Sequence, residues 1–543
     1  MSTSATQTKV GTGVLSHRQI LAVLGALMLG MLLAALDQTI VATSLPTIVG
    51  DLGGLNQLSW VVTSYLLAST VSTPLYGKLG DLYGRKSLFQ LAIVIFIAGS
   101  MLAGLSQNML ELISFRALQG LGAGGLMVGA QAIIGDVVPP RERGRYQGYM
   151  GGVFALASVA GPLIGGFLTD DVSWRWIFYI NVPIAAVALG VTAVVLKTQG
   201  RRVSHSIDWL GAFFLAAGAS ALILMTTWGG TQYAWASLPI VGLAVAGVLL
   251  LAAFIVVERR VTEPILPFRL FRNSVFNVAG GVGFVIGLAM FGAITFLPVF
   301  LQLVDGASAT NSGLNILPLM AGLLVASISS GQIISRRGRY KIFPVIGTAL
   351  SAVGIFLLST IDPQTPRILL SVYMVVLGLG LGCVMQVLVI AVQNAVEQRD
   401  LGVGTASATF LRSMGASFGV AIFGAIFSNE LASNLKKNLP ASALRGGINP
   451  ASLEGNPATL AHLPPAIHTG LVNSVSESLH VVFLAAVPIL VVAFLLTLLL
   501  REIPLRTRAH GIPAAEEAPG VDMETDFGGP IPVDVEQPEP VQP

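Results

Sequence analysis

The sequence predicts an all-α membrane protein with fourteen transmembrane helices, built as two pseudo-symmetric six-helix bundles with an inserted two-helix hairpin between them. Three observations carry this prediction: the composition, a series of apolar runs of membrane-spanning length, and an internal repeat. Of the 543 residues, 54% are hydrophobic and only 10% are charged, whereas a soluble domain has about 25% charged residues. The mean hydropathy of +0.78 indicates the same class, the polytopic membrane proteins.

Fourteen apolar runs are long enough to cross a bilayer, because roughly 20 residues of α-helix cover the hydrocarbon. They lie at residues 19–42, 57–77, 87–106, 109–135, 146–168, 174–196, 207–227, 238–257, 275–302, 312–334, 342–360, 368–392, 403–427 and 480–500. The first run lacks the short apolar region and small-residue cleavage site of a signal peptide, so we expect it to be retained. An even number of spans places both termini on one side of the membrane.

The basic residues predict which side this is. With the N-terminus taken as cytoplasmic, 23 of the 30 Lys and Arg residues fall in inner segments and 5 in outer ones, while Arg116 and Arg412 lie within spans. The positive-inside rule therefore predicts cytoplasmic termini in the cell (inner) membrane. Since the basic clusters are explained by topology, the pI of about 9.0 does not indicate a nucleic-acid partner.

An internal repeat at an offset of 254 residues indicates duplicated halves. GKLGDLYGRK from Gly77 aligns with GQIISRRGRY from Gly331, and GPLIGG from Gly161 aligns with GASFGV from Gly415. Several matches in order favour two six-helix units over chance. The predicted regions are a cytoplasmic N-terminus at 1–18, a first bundle at 19–196, the hairpin at 207–257, a second bundle at 275–500 with an extracytoplasmic loop at 428–479, and an acidic, Pro-rich and Gly-rich cytoplasmic tail at 509–543, whose composition predicts disorder.

Asp37, near the end of the first run, is the most informative residue of the chain. A carboxylate at a helix centre costs on the order of 2.5–3.5 kcal/mol on insertion scales, so it has to face a wet cavity, find a partner or take up a proton. The alternative is that it reaches the outer headgroups, because only five residues separate it from Ala42. The remaining motifs favour the functional reading.

Arg116 is the second charge within a span. It lies seven residues below the outer face on the fourth run and Asp37 lies five below it on the first, so their depths agree within about 3 Å. Opposite charges at matched depth are expected for two groups that cannot be left alone in hydrocarbon. The pair is either a static lock between two helices or a protonation switch that responds to hydration of the site.

The segment from Gly77 to Lys86 predicts a tight inner loop between the second and third spans. It contains three glycines that allow close backbone approach and three charged residues: Gly77, Gly80 and Gly84, with Asp81, Arg85 and Lys86. Asp136 ends the fourth span on the same side, which predicts an Asp81–Arg85–Asp136 network. The alternative treats the basic residues as topology signals alone, but a carboxylate such as Asp81 contributes little to that rule. Ser335 replaces Asp81 in the second copy, so we expect a one-sided network.

The fifth span is dominated by small residues that allow helices to approach closely in lipid, together with a proline that can kink the helix. They are Gly151, Gly152, Gly161, Pro162, Gly165 and Gly166. Packing without chemistry is the simplest role for this group.

Taken together, four of these motifs resemble those of a known family. GKLGDLYGRK resembles the loop signature of the major facilitator superfamily, while LDQTIVATSLP, RALQGLGAGG and GPLIGG resemble motifs of its drug:proton antiporter family with fourteen spans. The match covers about residues 19–500. The resemblance implies alternating access by rocking of the two halves and efflux of hydrophobic, often cationic compounds driven by proton entry, with the proton gradient in place of any cofactor.

The resemblance also implies residue roles. Proton coupling falls to Asp37 and Arg116, the cytoplasmic gate to Gly77, Asp81, Gly84, Arg85, Lys86 and Asp136, and the antiporter motif to Gly161, Pro162, Gly165 and Gly166.

The second half departs from relatives that export divalent cations, because its spans carry no carboxylate. Its acidic residues fall in loops or at span ends: Asp305, Asp362, Glu397, Asp400 and Glu477. Monocations or neutral compounds are therefore expected as substrates in preference to dications. Arg412, on the thirteenth span, could snorkel, bind backbone carbonyls or meet an anionic substrate group, and the sequence does not rank these.

Aromatic, amide and thioether side chains within the spans are the candidate substrate contacts, since such groups suit flexible apolar recognition. They are Trp60, Tyr65, Gln119, Gln131, Phe154, Phe284, Phe291, Met385 and Gln386. The alternative for each is packing against lipid or a neighbouring helix.

The predicted function is a proton-coupled secondary active exporter of small hydrophobic compounds, and the alternative is an exporter of a lipid or of a self-made antibiotic or metabolite. An enzyme is disfavoured because His205 and His480 are isolated and Cys383 has no nearby histidine, so neither a metal site nor a nucleophile–base pair is expected. The sequence contains no Gly-x-x-x-x-Gly-Lys-Ser/Thr segment, so an ATP-driven pump is also disfavoured. A receptor would need a folded soluble output domain, for which the acidic tail is too short. We expect a monomer whose partners are its substrate, protons and membrane lipid.

Overall fold

The computed structural model describes residues 17–53, 57–196, 208–230, 232–307, 309–439 and 464–505. The predicted acidic tail at 509–543 and residues 1–16 of the predicted N-terminus lie outside the described residues. Within them, the backbone forms helices and no strand beyond one isolated bridge between Gly229 and Tyr233.

The first half contains seven helices. They are α1 (His17–Leu52), α2 (Leu58–Tyr83), α3 (Arg85–Leu105), α4 (Met109–Val137), α5 (Arg143–Asp171), the short α6 (Trp176–Tyr179) and α7 (Asn181–Val195), the last two forming one span. The hairpin follows as α8 (Trp209–Trp228) and α9 (Leu238–Glu258). The second half contains α10 (Ser274–Leu303), α11 (Ala309–Asn315), α12 (Leu317–Arg337), α13 (Ile342–Ser359), α14 (Arg367–Ala395), α15 (Leu401–Asn438) and α16 (Pro465–Leu498).

Thirteen spans in the described part of the chain are long and apolar enough to cross a membrane. The fourteenth predicted span is α2, a helix of 26 residues whose hydropathy is lowered by serines, threonines and the charged residues Lys78 and Asp81. The prediction of an all-α membrane protein is confirmed.

The two halves each bury their own apolar core, and they meet along two pairs of helices. In the first half, α4 packs against α2 and α3 while α1 packs against α5 and α7. The second half repeats this with α14 against α12 and α13 and α10 against α15. Between the halves, α5 packs against α12 and α2 packs against α15. These two pairs are therefore the elements along which one half would move on the other.

The hairpin covers the side of the molecule where α2 and α15 meet. Its helices pack on each other, and α8 contacts both α2 and α15. Ala219 and Ile223 of α8 form an apolar cluster with Met414 of α15, and Trp228 meets Trp60 of α2 edge-to-face at 5.2 Å between ring centroids. The inserted helices are thus packed against one edge of the interface between the halves.

The loop predicted at 428–479 is shorter than expected, because helices extend into it from both ends. Helix α15 continues to Asn438 and α16 begins at Pro465. Leu431 and Leu435 are buried with Leu471, and polar side chains pair on the flank of this contact. Hydropathy alone ends both spans too early because these turns are amphipathic. The rest of the predicted loop, at 440–463, lies outside the described residues.

Candidate functional site

Asp37 is fully buried at the centre of the first half. Helix α1 continues fifteen residues beyond it, to Leu52, so the carboxylate lies well inside the bundle. It forms an ion pair with Arg116, and its Oδ1 accepts hydrogen bonds from Gln119 Nε2 at 2.8 Å and Asn181 Nδ2 at 3.2 Å. The alternative that Asp37 reaches the outer headgroups is therefore wrong.

The guanidinium of Arg116 contacts polar and aromatic groups from three helices. Besides Asp37, its guanidinium donates to Gln119 Oε1 at 2.8 Å and to the carbonyl of Val61 at 3.3 Å. It also stacks over the ring of Tyr65, 4.2 Å from the centroid, while the Tyr65 hydroxyl donates to the carbonyl of Ala34 at 3.0 Å. A buried ion pair is tolerated only when its remaining polar atoms are hydrogen-bonded in this way.

Asn181 is a member of this site that the sequence analysis missed. It is the first residue of α7, fully buried, and also donates to Ser100 Oγ at 3.0 Å. Its Oδ1 has no hydrogen-bond partner among the described residues. The available signal was an amide inside the apolar run at 174–196.

The glycines of α5 bring that helix against α1 beside the carboxylate. A side chain at Gly161 would overlap Thr39, two residues from Asp37, and the Thr39 hydroxyl donates to the carbonyl of Ala157 on α5 at 3.0 Å. Gly165 repeats this contact with Thr43, whereas Gly166 faces open space. Pro162 lies within the helix. The antiporter-like segment is thus a close helix contact at the site of Asp37.

The predicted Asp81–Arg85–Asp136 network is present at one end of the bundle, called here the loop side. Arg85 donates to Asp81 Oδ1 at 2.6 Å and contacts Asp136 Oδ1 at 2.5 Å. It also donates to the carbonyl of Ala132 at 2.9 Å. The predicted loop from Gly77 to Lys86 is helical except at Gly84, because α2 continues to Tyr83 and α3 begins at Arg85. Lys86 also has partners, since it donates to the carbonyls of Ala193 at 2.8 Å and Leu196 at the end of α7, where the helix dipole is negative.

Asp81 also joins the two halves. Its carboxylate accepts the backbone N–H groups of Gly402 at 3.0 Å and Val403 at 2.8 Å, in the first turn of α15. The N-terminus of a helix carries about half a positive charge, so it binds a carboxylate well. Gly77, one turn earlier on α2, lets the helices meet, because a Cβ there would lie 2.8 Å from the carbonyl oxygen of Gly402.

The second half repeats the capping contact without the charge. Ser335, which aligns with Asp81, accepts the backbone N–H of Arg145 at 3.0 Å near the start of α5. Arg141 adds a bond to the carbonyl of Arg336 at 3.0 Å. The ionic network is one-sided, as predicted, but the helix-capping contact is two-sided. Arg143, which the sequence analysis counted only among the basic residues of the inner segments, donates to the carbonyls of Val138 and Gly135 in its own half and to that of Gln393 in the other half.

Several predicted substrate contacts lie elsewhere. Tyr65 and Gln119 are fully buried and held in the Arg116 site. Trp60 packs on Trp228 of the hairpin, and Phe284 packs toward Phe418 at 6.3 Å between centroids. These aromatic rings serve helix packing, which the spacing of residues cannot distinguish from cavity lining. The side chain of Phe291 lies outside the described residues.

The other four candidates lie near or between the two halves. Gln131 Oε1 faces Thr409 Oγ1 at 3.4 Å, which joins α4 to α15. Gln386 is 5% exposed, and its Oε1 has no hydrogen-bond partner among the described residues. Phe154 and Met385 are half-buried and pack against the cores of their own halves. Gln386 is therefore the candidate of this set with a free polar atom at the interface.

A second charged cluster closes the far end of the first half. Asp51 accepts hydrogen bonds from Trp174 Nε1 at 2.9 Å and Arg175 Nη1 at 3.1 Å. The hydrogen bond from Trp174, followed by that from Arg175, holds the pKa of Asp51 below its ordinary value. Arg175 also stacks on the Trp174 ring at 4.3 Å. This cluster ties the end of α1 to the turn before α6.

Comparison with known proteins agrees with this architecture. The family model described as Major Facilitator Superfamily matches residues 27–208 and 198–420. The chain is 48% identical over 525 residues to an uncharacterised MFS-type transporter of Mycobacterium tuberculosis, covering 95% of this chain and 76% of that one. It is 39% identical to the multidrug transporter protein MdtP of Bacillus subtilis, covering 89% and 93%.

The solved structure of the proton:xylose symporter XylE has the same fold. It matches with a TM-score of 0.57 at 16% identity, covering 90% of this chain and 98% of that chain. Helices, motif contacts and relatives agree, and the chain therefore belongs to the major facilitator superfamily, whose members are multi-pass membrane transporters and not enzymes.

Proposed function

We propose that this protein is a proton-coupled exporter of small hydrophobic compounds that works by alternating access. The observation that carries the proposal is the fully buried carboxylate of Asp37, paired with Arg116 and bonded by Gln119 and Asn181. A titratable group inside a membrane bundle is a proton-pathway candidate by default. The multidrug relatives support export as the direction of transport.

Protonation of Asp37 would change the charge balance between Asp37 and Arg116. A neutral carboxyl no longer compensates Arg116, and an uncompensated charge in a protein interior costs about 3–5 kcal/mol. The guanidinium would then gain from any state in which water reaches it. Because α1, α4, α5 and α7 all contribute to the site or pack beside it, a helix rearrangement that hydrates it follows from proton uptake.

The loop-side network supports the gate assignment. Asp81 binds the first turn of α15 in the second half while Arg85 holds it to α4 in the first half. We propose that this contact is the cytoplasmic gate, closed in the present conformation. The orientation rests on the excess of basic residues in the segments of this side, which predicts cytoplasmic termini in the cell membrane.

On substrate charge, we propose compounds that carry at most one charge. A dication would need carboxylates in the second half, where Asp305, Asp362, Glu397 and Asp400 lie in loops or at helix ends. Glu477 was expected there too, but it lies inside α16, where it is exposed and pairs with Lys437 at 3.5 Å. The sequence-based expectation is therefore neutral compounds or monocations. Export of a lipid or of an endogenous antibiotic or metabolite is the alternative, and a compound panel separates the two.

Dye efflux tests the proposal directly. Inverted vesicles containing the protein are given an imposed pH gradient, and accumulation of a hydrophobic dye is followed with wild type and with Asp37→Asn. We expect gradient-dependent accumulation in wild type and none in the variant, which should be present in the membrane in equal amount. Unchanged accumulation in Asp37→Asn would refute proton coupling through this residue.

A further inference from the structure

Arg412 is a charged residue in the middle of a span, and the proposed mechanism does not use it. It lies eleven residues into α15, about 16 Å from the start of the helix, which is half way across a hydrocarbon core of about 30 Å. A charge at this depth needs a partner, a carbonyl or water. Its surroundings therefore decide its role.

The guanidinium does not reach lipid. No residue of α15 from Leu401 to Gly419 is exposed, so neighbouring helices cover most of this half of the helix. Met414 packs against the hairpin, and two positions along a helix differ by about 200°, so Arg412 points away from the hairpin and into the molecule. Snorkelling to the membrane surface is thereby excluded.

Arg412 faces α10 where that helix has no side chains to oppose it. A Cβ added at Gly283 would lie 3.9 Å from the Cβ of Arg412, an ordinary contact, and Gly287, one turn further on the same face of α10, approaches the backbone of Arg412. Arg412 itself is only half-buried. The glycine face of α10 therefore leaves the Arg412 side chain uncrowded.

Among the described residues, the Arg412 guanidinium makes neither a hydrogen bond nor an ion pair. The other two arginines enclosed by the helices differ sharply. Arg116 is neutralised by Asp37, and Arg143 donates to three backbone carbonyls. Arg412 is thus not bound to carbonyls, which was the second option left by the sequence.

Within the two bundles, the described residues offer an unpaired guanidinium at Arg412, whereas the Asp37 carboxylate is already paired. Asp37 is committed to three donors, Arg116, Gln119 and Asn181. A cationic substrate would find the Asp37 carboxylate already paired and would be repelled by Arg412. The buried carboxylates without an ion pair among the described residues, Asp208 and Glu258, lie at the ends of the hairpin helices and not within the two bundles. An anionic group would gain charge-assisted hydrogen bonds to a planar fork of donors in a region poor in water.

We infer that Arg412 binds an acidic group of the substrate, so that the exported compounds carry a carboxylate or similar anion on a hydrophobic body. This inference rests on the proposed export function and sharpens its charge: at most one charge, and that charge negative. It replaces the monocation expected from the sequence. The reason is that the expectation rested on missing carboxylates, whereas the structure adds an unpaired arginine.

Three probes with one hydrophobic body test the inference. Anthracene-9-carboxylate, 9-anthracenemethanol and 9-(aminomethyl)anthracene are anionic, neutral and cationic, and their binding to the purified protein in detergent is followed by fluorescence titration. We expect wild type to bind the carboxylate at least about tenfold more tightly than the alcohol, with the amine weakest. Arg412→Gln should remove this preference and keep the affinity for the alcohol, while Arg412→Lys should keep part of it.

Arg367→Gln is the charge control, because Arg367 is an exposed arginine paired with Asp305 at 3.2 Å. It should leave all three affinities unchanged. Equal weakening of all three probes in Arg412→Gln, or a wild type that binds the amine or the alcohol at least as tightly as the carboxylate, would overturn the inference.

The binding assay and the transport assay can fail independently, so this inference is tested apart from the proposed function. Vesicle uptake of the alcohol under an imposed pH gradient tests export without involving the acidic group. Absence of gradient-driven uptake of the alcohol and of the carboxylate alike, with an intact carboxylate preference in binding, would disprove coupled export and retain the anion site. Normal uptake of the alcohol without any carboxylate preference in binding would overturn the anion site and retain coupled export.

Discussion

Asp81 on α2 accepts a hydrogen bond of 2.8 Å from the backbone N–H of Val403 on α15, 322 residues further along the chain. The bond joins a carboxylate of one half to the positive end of a helix of the other half. The same oxygen pair also holds Arg85, so the contact between halves and the ion pair within the first half share one group. The charge of the Asp81 carboxylate therefore affects both the contact between the halves and the ion pair with Arg85.

Asp81→Asn should weaken closure of the loop side. The amide keeps the shape of the side chain but loses the charge that attracts the α15 terminus and Arg85. A cysteine at Ser327, which is 1% exposed on α12 between the halves, reports the opening in a Cys383→Ser background. We expect severalfold faster maleimide labelling of this cysteine in Asp81→Asn than in the parent.

Asp400→Asn is the matched control for that experiment. Asp400 lies on the same side, next to the start of α15, and pairs with Arg269 at 2.7 Å. It makes none of the contacts of Asp81 to α15. Equal labelling rates in the Asp81→Asn variant and the parent would show that the carboxylate does not hold the halves together.

Much of this architecture follows from the sequence, because bilayer thickness and the cost of buried charge constrain it. The depth of Asp37 and Arg116 predicts that they meet, and the structure pairs them. Partners chosen by packing do not follow in the same way. In the sequence, Asn181 is one amide among many. A tryptophan such as Trp60 looks the same in the sequence whether it lines a cavity or, as here, packs on Trp228.

The repeat gives a further example of what sequence can and cannot supply. Alignment of Ser335 with Asp81 predicts loss of the ionic network in the second copy, and this holds. The backbone N–H that Ser335 accepts, that of Arg145, depends on where α5 begins relative to α12. Such positions are set by the packing of whole helices.

Arg116→Gln and Asp37→Asn should be strongly non-additive for thermal stability. Arg116→Gln leaves a fully buried carboxylate without its counter-charge, at a cost of about 3–5 kcal/mol. Removing that carboxylate as well should restore part of the loss, because a neutral amide pair can hydrogen-bond in the same place. We expect the double variant to unfold at a higher temperature than Arg116→Gln alone, measured in detergent at pH 7.

Residues in contact commonly show coupling of 0.5–3 kcal/mol. A double variant that unfolds at or below the temperature given by adding the two single effects would contradict a charge pair. Pairing Arg116→Gln with Asp51→Asn provides the comparison for a distant carboxylate. Those two effects should simply add.

The Asp51 cluster should stabilise the fold without sensing physiological pH. Its pKa lies below the ordinary aspartate value of 3.8, because Trp174 and Arg175 donate to the carboxylate. A depressed pKa gives stability that is fully present above pH 3.8 and is lost only as the pH falls through the folded value. The difference in melting temperature between wild type and Asp51→Asn should therefore be constant from pH 5 to pH 8. A difference that shrinks between pH 8 and pH 5 would show another group titrating at this cluster.

Gly77→Val should prevent closure of the loop side while leaving the first half folded. A Cβ at Gly77 would lie 2.8 Å from the carbonyl oxygen of Gly402 and closer still to Ala406, both on α15. Neither neighbour is a flexible side-chain end, so the helices have to separate. Gly80 provides the control on the same helix, because an added Cβ there meets only Arg85 Cγ, at an ordinary 3.5 Å. We expect Gly77→Val to expose the cysteine at Ser327 permanently and to stop gradient-driven efflux, whereas Gly80→Ala should do neither. Normal efflux in Gly77→Val would mean that α2 and α15 do not need this contact during the cycle, and the closed loop side seen here would then not be a transport intermediate.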